Sequence, residues 1–204
     1  VIGVAVKHSL DTIKKDGFIS MAVRSFLATL LVVSFFEILP KYPVGVSEVH
    51  FILGSTLFLI FGAAPAAIAL AAGLLIQGLF FAPFDLPQYG VNVTTLLVPL
   101  FVMAVLAKKI IPDHVAYKDI KYSQALKLSV TYQAGIVSWV AFWAFFGQGF
   151  GSENLMQIFT FGVAYMSVVL LEPVLDLAVL AGAKTAHKLK GSLVVDKRLY
   201  AAKV

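Results

Sequence analysis

The chain has 204 residues, 60% of them hydrophobic and only 13% charged, with a net charge of +5 and no cysteine. A soluble domain carries roughly 25% charged residues, so this composition points to lipid as the main solvent. The lack of cysteine excludes disulfides and thiolate metal sites. The basic balance does not indicate nucleic acid, because most lysines sit in loops and a tail, where membrane orientation and anionic lipid account for them.

In chain order, Val1–Leu10 reads as the end of a first helix that is expected to begin before Val1. Asp11–Gly17 is polar, ends in glycine and reads as a loop. Phe18–Leu39 is a first complete span, since crossing needs about 20 mostly apolar residues. Its Arg24 lies near the basic end and is expected to snorkel toward water. After the loop Lys41–Pro43 come Val46–Gly62, at the lower length limit for a span, and Pro65–Ala82, a Gly- and Ala-rich helix suited to close approach. A proline-bounded loop, Pro83–Gly90, leads to the span Val91–Ala107, which contains Pro99. The connector Lys108–Lys121 is polar, and Tyr122–Phe146 is a long span. Gly147–Asn154 is a glycine-rich loop, Leu155–Ala183 the last apolar stretch, and 184–204 a basic tail.

This reading gives an all-α polytopic bundle in one domain, with six complete spans and a truncated first helix. Lysine and arginine set its orientation. If Asp11–Gly17 is cytoplasmic, that side holds Lys14, Lys15, Lys108, Lys109, Lys118, Lys121, Lys184, Lys188, Lys190, Lys197, Arg198 and Lys203, against Lys41 alone on the other. The tail is then cytoplasmic. The connector lysines Lys108, Lys109, Lys118 and Lys121 become candidates for docking partner subunits.

Ionisable groups at or inside a span are costly unless wet or partnered, which makes them pointers to function. Glu48 and His50 lie at the mouth of the expected second span, with Ser47 beside them. Imidazole is the commonest neutral ligand for nickel, cobalt, copper and zinc. His50 is equally well explained as a histidine satisfied by a backbone carbonyl or a lipid headgroup. His8, His114 and His187 fall near the opposite side. Gln77, Asn92, Thr94, Thr95 and Gln133 read as hydrogen-bonding glue between helices, although Asn92 follows a Tyr-Gly turn at the outer end, where it can support a ligand. Glu172 and Asp176 share one helix face at i, i+4, near the basic tail. Pairing with Lys184 or a partner's arginine is the plainer account, and a proton relay or cation site the alternative. The aromatic run Trp139–Phe146 reads as an interfacial belt. No phosphate loop, Ser-His-Asp order or His-Glu-x-x-His motif occurs, so the chain is not expected to be an enzyme.

The stretch Val44-Gly45-Val46-Ser47-Glu48-Val49-His50, with Gly54, Gly62, Gln77-Gly78-Leu79-Phe80-Phe81 and Gly90-Val91-Asn92-Val93, resembles the CbiM/NikM family. These are the substrate-capture membrane components of energy-coupling-factor transporters for cobalt and nickel. The resemblance is clearest from Val44 to Ile111. It implies seven helices, uptake of Co(II) or Ni(II) as transported substrate across the bacterial inner membrane, and partners in a coupling subunit and two ATPases. It further implies a nearly planar nitrogen site built from a Met-His N-terminus and a loop histidine. Of these ligands the loop histidine corresponds to His50; the chain begins Val1-Ile2 and lacks the Met-His pair, which only residues before Val1 could supply. Glu48 stands where the family pattern has a small residue. Ser47, Glu48 and Asn92 are supporting candidates by position. A second expectation, from a different class, is a non-transporting structural subunit of a larger membrane complex that reuses this fold.

Overall fold

No glycine or proline interrupts the run of Leu, Val, Phe and Ala from Phe18 to Ile38, and in the computed structural model it forms the 21-residue helix α2. The structure describes residues 1–39 and 41–202. The other helices are α1 (Ile2–Asp16), α3 (Gly54–Phe61), α4 (Ala63–Phe80), α5 (Tyr89–Ile110), α6 (Tyr122–Gln148), α7 (Ser152–Met166) and α8 (Glu172–Thr185), each of which includes at least one glycine or proline. A two-stranded antiparallel hairpin, β1 (Lys41–Val44) and β2 (Ser47–His50), stands between α2 and α3. The fold is an all-α bundle with this one hairpin among the described residues.

Five helical segments among the described residues are long and apolar enough to cross a membrane: Phe18–Ile38, Ala63–Phe80, Pro83–Ile110, Tyr122–Gln148 and Ser152–Thr185. Phe26, Leu30, Phe142, Phe159 and Val163 lie exposed on these segments, as a lipid-facing surface requires. Leu59, Leu70, Leu100, Met103 and Leu128 are fully buried and form the centre that α3, α4, α5 and α6 share. Helices α2 and α4 approach closely where Gly73 faces Val32. A methyl group on Gly73 would collide with the Val32 side chain.

Several expectations change. The span expected at Val46–Gly62 is half of a hairpin followed by an eight-residue helix. Eight residues rise about 12 Å, well short of the ~30 Å hydrocarbon core. Leu53 separates the two in a left-handed conformation, at φ 55°. The loop expected at Asp11–Gly17 is instead helical up to Asp16. The stretch Leu155–Ala183 remains one segment long enough to cross, within which a 3₁₀ turn at Ser167–Leu170, just before the interruption expected at Glu172-Pro173, separates α7 from α8. The basic tail packs under the bundle: Val195 and Leu199 are buried, and the Asp196 amide donates to the Ile60 carbonyl at 2.7 Å.

Arg24 does not snorkel. It is fully buried and binds Asp16 at 2.7 Å, Asp196 at 3.1 Å and the Phe61 carbonyl at 3.0 Å. One guanidinium thus joins α1, α2, the end of α3 and the tail. Its fork of donors is the geometry that suits several acceptors at once.

Candidate functional site

The hairpin owes its position to its turn. Gly45 has φ 58°, and a methyl group there would strike the Gln157 carbonyl, so the turn lies directly against α7. The pairing Lys41↔His50 and Val44↔Ser47 then fixes the register. His50 falls at the end of β2 and stacks on Phe36 of α2, with ring centroids 5.4 Å apart. Its Nδ1 is buried without a hydrogen-bond partner. Burial pulls the imidazole down from the usual histidine range to about 4, and the charge of Lys41 adds to the shift. At neutral pH the ring is therefore uncharged, the form that ligates metals.

His50, Glu48 and Ser47 line a cavity of about 240 Å³, and Asn92 closes it from the first turns of α5. All four residues singled out in the sequence thus meet at one end of the bundle. The cavity also includes Gln77, Asp85 and Tyr165. Gln77 is held by donating to Glu37 at 3.1 Å. Asp85 arrives on a proline-bounded 3₁₀ turn, Pro83–Gln88. Tyr165, from α7, has a buried hydroxyl with no partner. The sequence reading missed Asp85 and Tyr165 as wall residues. The two prolines around Asp85 were the available signal, whereas Tyr165 carried none.

The four connector lysines are elsewhere. Lys108 is exposed on the last turn of α5, at the rim of a second cavity of about 520 Å³. From Asn92 to Lys108 the helix rises about 24 Å, so the two cavities are at opposite ends. Lys109 and Lys121 are exposed, and Lys118 pairs with Asp119 at 2.6 Å.

Glu172 and Asp176 do not pair with Lys184, which reaches Asp119 at 3.5 Å instead. Both carboxylates are fully buried. Glu172 accepts from Ser129 and from Gln133 at 2.7 Å, and Asp176 accepts from Thr56. Helix glue is seen between α5 and α6, where Trp139 donates to Thr94 at 3.1 Å.

Among the described residues, no three His, Cys, Asp or Glu side chains gather as a metal cage. The cavity offers one neutral imidazole together with amides, a hydroxyl and carboxylates: one strong donor with groups able to orient it or to bond a hydrated ion. A family described as cobalt uptake substrate-specific transmembrane region matches residues 1–188. No curated protein and no solved structure matches the chain.

Proposed function

The chain belongs to the CbiM family of cobalt-uptake transmembrane regions, and from that premise we propose that it captures Co(II) at the hairpin cavity and hands it on through a membrane transport complex. The observation that carries this reading is the His50 ring: uncharged, stacked in place and with a buried unpaired nitrogen at a polar cavity. His50 supplies one nitrogen ligand. Glu48, Ser47, Asn92 and Gln77 orient the ring and bond the ion's remaining shell. Nitrogen donors suit Co(II) and Ni(II) over magnesium or calcium, so nickel is the natural competitor.

In this reading the chain works by binding, not catalysis, in the bacterial inner membrane. A coupling subunit and ATPase subunits supply the energy. Lys108, Lys109, Lys118 and Lys121 face the cytoplasm as docking positions.

The test is Co(II) binding by the full-length protein in nanodiscs beside His50→Ala. Stoichiometric binding that weakens at least tenfold in the variant is expected. Equal affinity in the two proteins refutes the reading.

A further inference from the structure

Near the middle of the bundle a second polar cluster is sealed from water. Glu172 opens α8 and Asp176 follows one turn later. Each carboxylate has one oxygen anchored: Oε2 of Glu172 by Ser129 and Gln133, and Oδ1 of Asp176 by Thr56. Their other oxygens, Oε1 and Oδ2, have no hydrogen-bond partner. Ser55, fully buried on α3, lies beside both carboxylates, yet its Oγ makes no aligned bond to either. The Tyr132 hydroxyl and the Gln133 Oε1 are likewise buried and unpaired. No lysine, arginine or histidine among the described residues pairs with Glu172 or Asp176.

Two carboxylates in such a place are expensive without a positive partner. Their surroundings are also arranged in a telling way. One oxygen of each is fixed and the other is without a hydrogen bond, and the Ser55 and Tyr132 hydroxyls and the Gln133 Oε1, on the helices that hold the fixed oxygens, are buried and unpaired as well. The helix is interrupted here too: a 3₁₀ turn at Ser167–Leu170 and Pro173 separate α7 from α8. Broken helices inside a membrane are typical of ion sites.

We propose that Glu172 and Asp176 form a second, intramembrane cation site that takes the divalent cargo on oxygen donors alone. Ser55, Tyr132 and Gln133 complete the donor set. The site rests on the reading of the chain as a Co(II) carrier, and it adds a second stop to it. The connection to the first site is Tyr165, which walls the hairpin cavity and belongs to the same buried core as Tyr132, both with unpaired hydroxyls. Cobalt prefers nitrogen donors, so an oxygen-only site holds it less tightly. Capture at His50 is then followed by a weaker site from which the ion can leave.

The experiment counts Co(II) bound to the full-length protein in nanodiscs by equilibrium dialysis and elemental analysis. Wild type is expected to show a tight and a weaker class. E172Q/D176N should lose the weaker class and keep the tight one, and His50→Ala should do the reverse. Two unchanged classes in a folded E172Q/D176N overturn the inner site. An unchanged tight class in His50→Ala instead overturns the capture reading, and the weaker class still decides the inner site. If E172Q/D176N does not fold, the single variants E172Q and D176N decide: each must weaken the second class at least tenfold and leave the tight class unchanged. A His50→Ala chain that binds none overturns the proposal.

Discussion

Arg24 offers the most direct test of what holds the fold together. Replacing it with methionine keeps most of the length and removes the charge. Asp16, 3% exposed, and Asp196, 14% exposed, then lose their shared partner. Breaking a buried ion pair from one side costs about 3–5 kcal/mol, because the remaining charge stays desolvated. Asp16 keeps Lys197 at 3.1 Å, but that lysine is 58% exposed, and exposed pairs contribute only about 0–1 kcal/mol. The expected loss is therefore about 3 kcal/mol, a fall in Tm of roughly 6–12 °C for a chain of this size. The assay is thermal unfolding in detergent, paired with limited proteolysis of the tail. The tail should be cut earlier in Arg24→Met. The triple variant R24M/D16N/D196N removes the stranded carboxylates and should recover most of the loss. A loss below about 1 kcal/mol, or no recovery in the triple variant, refutes the buried-charge argument.

Other outcomes follow from the site and its supports. The His50 ring should titrate near pH 4, not near 6.5, when followed by NMR of the ring-labelled protein. Its folded pKa is depressed, so it stays neutral down to about pH 5 and takes up a proton only as pH falls through about 4. A midpoint at 6 or above contradicts its burial. Gly45→Ala should lower Co(II) affinity while leaving the helices intact, since the added methyl drives the hairpin away from the Gln157 carbonyl and displaces His50. Unchanged affinity, measured by titration, counts against hairpin placement as the source of the site. Gly54→Ala should destabilise the bundle by about 1–3 kcal/mol, because the methyl group enters the Tyr132 ring in a packed centre. Thermal unfolding checks it, and a neutral result means the α3–α6 contact is looser than described.

The long helices were readable because their apolar runs extend over about 17–25 residues and most are bounded by polar, glycine or proline loops. The expected Phe18–Leu39 and the observed Phe18–Ile38 differ by one residue. The region around His50 was legible as chemistry but not as structure. Val44, Val46 and Val49 merge with the apolar run from Phe51 to Phe61, and hydropathy alone does not separate a strand from a helix in short apolar stretches. Gly45, between Val44 and Val46, was the turn signal ahead of that run. The partners of Glu172 and Asp176 were hidden for another reason. Ser129 and Thr56 lie 43 and 120 residues away from the carboxylates they bond, and single-sequence spacing says nothing about such contacts. Lys184 looked like the partner only because it was near in sequence. Arg24 was misread similarly: its acceptor Asp196 is 172 residues downstream.

That last distance has a consequence for how the protein is made. A ribosome adding about 5–20 residues each second needs roughly 10–30 s to travel from Arg24 to Asp196. Until Asp196 is made, Asp16 is the one carboxylate partner available to Arg24, and the arrival of Asp196 supplies the second. A chain that stops before Asp196 would leave the guanidinium without one of its two carboxylates, so docking of this segment and full pairing of Arg24 are a single late event in folding.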